Sequence, residues 1–69
     1  MKLFSVFQTE KYQGSDLLVI YSSRQECMDY IQNLEFYKKG WYEYSIVEFE
    51  LGQEIEKYGK FERVEPYVV

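Results

Sequence analysis

Apolar residues fall along this chain in two rhythms, and the rhythm switches at Ser22-Ser23-Arg24-Gln25-Glu26. Before that signal they come in strand-like runs, Leu3 to Phe7 and Leu17 to Tyr21. After it they recur at helical spacing in Cys27, Tyr30, Ile31 and Leu34. Beyond Gly40 the strand rhythm returns in Trp41 to Leu51. Residues 2–9 predict a first strand with Leu3, Ser5 and Phe7 on one side and Phe4, Val6 and Gln8 on the other. Both sides are partly apolar, which suits a central strand. Residues 10–16 read as a polar connection with Gly14 as its turn residue. Residues 17–21 predict a second strand whose unbroken apolar run implies cover on both faces.

The helix opens on a capping box. The Ser23 hydroxyl can accept from the Glu26 backbone N–H while the Glu26 carboxylate reaches back to Ser23, and Ser22 with Gln25 offers the same pattern one residue earlier. Cys27, Tyr30, Ile31 and Leu34 line one helical face. Lys38 and Lys39 offset the C-terminal end of the helix dipole, and Gly40 is placed to stop the helix in a left-handed conformation.

Residues 41–51 form the strongest strand pattern. Val47, Phe49 and Leu51 alternate with Ile46, Glu48 and Glu50, and the first set is assigned to the core beneath the helix. On that phase Tyr42, Tyr44 and Ile46 face away from it. Gly52 ends the strand, residues 53–58 read as an edge strand or a short helix, and Phe61 to Val64 as a final short strand before Pro66. The expectation is one α+β domain over residues 1–69: an antiparallel sheet of three to four strands with one α-helix packed on one face. A single helix leaves the other sheet face without a partner inside the chain.

Composition narrows the chemistry. A chain of 69 residues buries only about 60% of its unfolded surface, and with one cysteine it has no internal disulfide. No histidine is present, so neither a zinc framework nor a histidine-activated nucleophile can be assembled. Eight Tyr, five Phe and one Trp supply the apolar mass instead. The opening residues lack a signal-peptide pattern, and no segment approaches the roughly 20 apolar residues of a membrane span. A cytoplasmic location is expected. The net charge of −4 disfavours nucleic acid and anionic membranes, and favours a protein with a basic surface.

The candidate sites are weighed on these terms. Cys27 lies near a helix start, where a thiol can be activated, but its spacing places it on the buried stripe as a small core residue. Glu48 and Glu50, roughly 7 Å apart on one strand face, could act as a carboxylate pair or help hold a hard cation. The chain offers little room for a cleft and too few oxygen ligands, so no catalytic, metal or cofactor site is assigned and no enzyme is expected. Residues 41–56 hold five acids and no base. They read either as a solvated face or as a negative row for a basic groove. The tyrosines are the better clue. Tyr42 and Tyr44 with Ile46 should form an aromatic strip away from the helix, either covered by the C-terminal segment or meeting another protein.

Val19-Ile20-Tyr21-Ser22-Ser23 with Arg24-Gln25-Glu26, then Tyr30-Ile31, then Tyr44-Ser45-Ile46-Val47-Glu48-Phe49-Glu50-Leu51 resembles small uncharacterised β-β-α-β proteins of bacteriophages and Gram-positive bacteria. The resemblance spans about residues 2–51. It implies a compact domain without catalytic residues and, in a phage setting, a small acidic inhibitor or modulator of a host protein, including host defence enzymes, acting in the host cytoplasm. The sequence-level reading is a non-catalytic interaction module that binds through Tyr42, Tyr44, Ile46, Glu48 and Glu50. The alternative is a homodimeric structural or accessory protein that uses the same face.

Overall fold

In the computed structural model, which describes residues 1–68, the chain runs β1 (Lys2–Glu10), β2 (Gly14–Tyr21), α1 (Arg24–Gln32), α2 (Glu35–Lys39), β3 (Glu43–Glu50), α3 (Ile55–Tyr58) and β4 (Lys60–Arg63). The strands form one sheet in the order β2-β1-β3-β4, with every neighbouring pair antiparallel. This is the α+β architecture that the two apolar rhythms predict, and β1 is central as its two-sided pattern requires. Among the described residues, no helix is long and apolar enough to cross a membrane.

The β1–β2 turn is tighter than the polar stretch suggested, and β2 starts at Gly14. Tyr12 (φ 71°) and Gly14 (φ 89°) both adopt left-handed backbone, and the Gln13 N–H donates to the Glu10 carbonyl at 3.1 Å. The pairing register slips once: Val6 faces Val19 but Phe7 faces Leu17, so Leu18 is the extra residue of a bulge. The slip puts Leu17 and Ile20 on the same sheet face, opposite Phe7 and Ser5. In a departure from the sequence reading, β2 is an edge strand and only one of its faces is covered.

Ser23 caps α1 as expected, accepting from the Glu26 N–H at 3.3 Å. The Glu26 carboxylate accepts from the hydroxyls of both Ser22 (3.2 Å) and Ser23 (3.0 Å). The single predicted helix is in fact two. At Asn33 the side-chain amide donates to the Asp29 carbonyl at 2.7 Å, and Leu34 turns to extended backbone before α2 begins. The break lets Tyr37 point into the core. Gly40 then stops α2 at φ 71°.

The phase of β3 is the reverse of the one assigned from sequence. Tyr44 and Ile46 pair with Gln8 and Val6, and this row lies beneath α1 and α2 with Cys27, Ile31 and Tyr37. Tyr44 is 1% exposed and Ile46 2%. The Tyr44 hydroxyl donates to Gln8 Oε1 at 2.7 Å, which removes the cost of burying it. Burial raises the Tyr44 pKa above its ordinary value, with Tyr30 and Tyr42 adding to the effect. The C-terminal segment completes the cover. The Val64 N–H donates to the Tyr44 carbonyl (2.9 Å), the Tyr37 hydroxyl donates to the Glu65 carbonyl (2.7 Å), and Tyr67 meets the Tyr37 ring edge-on. Among the described residues, no buried side-chain polar atom lacks a hydrogen bond.

Candidate functional site

With the helix side sealed, the opposite sheet face is the candidate surface. Register places Leu3, Ser5, Phe7 and Thr9 of β1 there, with Leu17 and Ile20 of β2, Glu43, Ser45, Val47 and Phe49 of β3, and Phe61 and Arg63 of β4. Leu17, Ile20 and Phe61 are 49%, 47% and 69% exposed. Ser5 and Ser45 sit among these larger side chains and are buried, so the centre of the face is covered by its neighbours. The Ser5 hydroxyl donates to the Val47 carbonyl at 3.0 Å and presents no free polar atom there.

The short helix α3 covers only the β3 side of this face. Ile55 is half-buried, and Gly59 approaches so closely that a Cβ at that position would lie 2.8 Å from Val47 Cγ1 and 2.5 Å from the Ile55 carbonyl oxygen. Val47 is buried as a result, while Leu17 and Ile20 on the β2 side stay open. One end of the face is polar: the Thr9 and Ser15 hydroxyls lie 2.8 Å apart, and Arg63 Nη2 contacts Glu43 Oε1 at 2.9 Å.

The five residues assigned to binding do share one face, but it is the covered one. Tyr44 and Ile46 are core. Tyr42 precedes β3, is half-buried, and meets Phe36 edge-on at 5.5 Å. Glu48 and Glu50 lie at the far end of β3 and are half-buried. Glu48 contacts Lys2 at 3.5 Å, and Glu50 contacts the Met1 amine at 3.0 Å. With Glu43 held by Arg63, three of the five acids of residues 41–56 are engaged by cations of the same chain. Among the exposed apolar residues, Phe61 was read only as part of a last strand, and Leu17 and Ile20 were taken to be covered. The signal that finds them is the unbroken apolar run of β2. A strand whose two sides are equally apolar contributes to whichever face the helices leave open.

A second exposed aromatic group sits at the α2–β3 corner, where Phe36 stacks on Trp41 (5.3 Å) and Lys39 lies over the Trp41 ring (4.9 Å). Cys27 is fully buried, and its thiol reaches the Phe4 carbonyl at 3.5 Å. Burial, reinforced by Glu26, raises its pKa, the opposite of what a thiolate nucleophile needs. Among the described residues, no three His, Cys, Asp or Glu side chains come together as a metal-binding group. Comparison with known proteins finds no matching family model, no matching curated protein and no matching solved structure.

Proposed function

We propose that the chain is a non-catalytic protein-interaction module whose contact surface is the sheet face opposite the helices, and that its partner is another protein with a basic border around an apolar contact. The observation that carries this reading is the exposed apolar pair Leu17 and Ile20 on β2, with Phe61 exposed on β4 at the opposite edge of the same face. An exposed apolar sheet face costs solubility, and a protein surface that excludes water from it is its natural use. The net charge of −4 favours a basic partner and speeds the encounter. The narrower role of a phage-type inhibitor of a host protein rests on the motif resemblance alone.

The test pairs the chain with its Ile20→Thr/Phe61→Thr variant. Both are immobilised and offered the same cell lysate, and sedimentation is followed over a dilution series. The expected result is a monomer that retains a specific protein, with retention falling at least about tenfold in the variant and weakening from about 50 to about 300 mM salt. Equal retention by both forms would remove the face from the reading. A dimer that forms only when the face is intact would assign the surface to a second copy of the chain.

A further inference from the structure

The two edges of the sheet are built differently. β4 is four residues long, three of them charged (Lys60, Glu62, Arg63), and Pro66 follows closely. Short, charged, proline-flanked strands resist further pairing. β2 is eight residues long, carries one charge (Asp16) and no proline, and is the outermost strand, with the bulge at Leu18 as its one interruption. Alternate N–H and C=O groups along it therefore face away from β1 with no strand to receive them.

The two flanks of this edge also differ. On the helix side lies a shallow, open depression lined by Tyr21, Glu26, Asp29, Tyr30, Asn33 and Leu34. The Tyr21 and Tyr30 rings are 6.1 Å apart and tilted at 58°. Glu26 is held by Ser22 and Ser23, and Asp29 Oδ1 accepts from Gln25 at 2.9 Å, so both carboxylates are fixed in place. The lining holds two carboxylates, two phenol rings and no cation. Arg24 turns the other way, to Glu62 on β4. Asp16 lies opposite Gln8 and adds a third carboxylate on the same flank. The other flank is apolar, Leu17 and Ile20 of the open face.

We propose that β2 receives an extended basic peptide segment as a fifth strand. Its alternate Arg or Lys side chains lie toward Tyr21, Tyr30 and Asp29, and its intervening apolar side chains lie beside Leu17 and Ile20. The inference rests on the interaction reading above and names the element of the partner that makes the contact. Strand addition satisfies the outward N–H and C=O groups. A peptide that passes the Leu18 bulge as β1 does, with no residue answering it, keeps the two-residue period that sorts its side chains onto the two flanks. A cation between aromatic faces and a carboxylate is favourable on both counts. Pairing β2 with β2 of a second copy would instead gather Asp16, Glu26 and Asp29 of both molecules on one flank.

Three capped octapeptides serve as probes, matched to the eight residues of β2: alternating Arg and Val, the same peptide N-methylated at alternate residues, and alternating Glu and Val. Binding is followed by amide NMR shifts and hydrogen exchange of the intact chain. The expected result is that the Arg/Val peptide shifts the amides of β2 and Tyr30 and slows exchange along β2. N-methylation and Asp29→Lys each weaken binding at least about tenfold, and the Glu/Val peptide does not bind. Equal affinity of the N-methylated peptide overturns the strand addition. So does an Arg/Val response confined to residues outside β2 and α1, or no response at all. Exchange protection of β2 that appears without peptide and is lost on dilution overturns it in favour of self-pairing. Failure of the peptides while the lysate partner still depends on Ile20 and Phe61 sinks this inference and leaves the interaction reading standing.

Discussion

The two faces of the sheet come from one alternating pattern and meet opposite fates. Along β3, Tyr44 and Ile46 are sealed beneath α1 and α2, while their neighbours Ser45, Val47 and Phe49 face the other way. Both faces mix polar and apolar residues. Tyr44, Gln8 and Glu48 share the helix side with Val6 and Ile46, and Ser5, Thr9, Glu43, Ser45 and Arg63 share the other with Leu3, Phe7, Leu17, Ile20 and Phe61. Hydrophobicity therefore does not select the face that becomes core. Helix length and position do. An α1 of nine residues is about 13 Å long, whereas the eight residues of β3 extend about 27 Å. The helix covers only part of any strand, and the residues under it are core whatever the far end of the strand looks like.

The largest break in this comparison is Tyr44→Ala. It removes a fully buried ring and leaves Gln8 Oε1 without its donor, and should cost about 3–5 kcal/mol. A domain of this size has on the order of 3–10 kcal/mol in all, so urea denaturation should find the variant largely unfolded or close to it. A folded variant with its midpoint nearly unchanged would show that the sealed face is not the core.

Gly59→Ala is next, and it probes the one place where the open face is covered. Gly59 has an ordinary negative φ, so backbone strain is not the issue. The added Cβ would collide with the Ile55 carbonyl and Val47 Cγ1, and since the first of these is backbone, α3 must shift. Overpacking of this kind costs about 1–3 kcal/mol. The measurement is thermal unfolding together with hydrogen exchange at Val47, which should speed up as α3 lifts.

These particulars explain what could be read from the sequence. The strands, the Ser23 cap, the Gly40 stop and the burial of Cys27 follow from local signals, because each depends on a few adjacent residues. The phase of β3 could not be read the same way. Glu48 and Glu50 made their side of the strand look solvated, and both are partly exposed at that end of the strand, while Tyr44 and Ile46 on the same side are core. Tyr44 looked like an interface residue because its hydroxyl seemed to need water, and it is satisfied by Gln8 on another strand. The helix break at Asn33 left a weak trace in Asn, a residue that ends helices readily. The edge position of β2 left none, since strand order depends on long-range pairing. The central expectation, that one sheet face lacks a partner within the chain, holds only in part. α3 covers the β3 side of the face opposite α1 and α2, Ser5, Ser45 and Val47 are buried there, and the tyrosine strip is itself covered, so what stays exposed is Leu17 and Ile20 on β2 and Phe61 on β4.

On the open face the expected effect reverses. Ile20→Thr and Phe61→Thr keep strand-compatible residues while removing exposed apolar surface, so each should change stability by no more than about 0.5 kcal/mol. Denaturant midpoints of both variants check this. A loss of about 2 kcal/mol from either would mean that this face is already packed in the isolated chain, and the distinction between the two sides would collapse.

The smallest effect concerns the rim of the sealed face, where Arg24 on α1 grips Glu62 on β4. Its Nε donates to Oε1 at 2.7 Å and its Nη2 to Oε2. The guanidinium holds the Glu62 carboxyl below its ordinary value of 4.5, chiefly through these hydrogen bonds. The Arg24 pKa is raised by the same contact. A carboxylate whose pKa is lowered on folding adds stability that is complete above its unfolded value and disappears as pH falls through the folded one. Both side chains are about half exposed, so salt should weaken the pair. Glu62→Gln should therefore lower the denaturation midpoint slightly at neutral pH. Its difference from the unaltered chain should stay constant down to about pH 5 and close as the pH falls further. On the open face Arg63 offers Glu43 a single contact, so Glu43→Gln should produce a smaller midpoint change at neutral pH. If the two substitutions were equal, the second contact of the Arg24–Glu62 grip would add nothing to what a single contact provides.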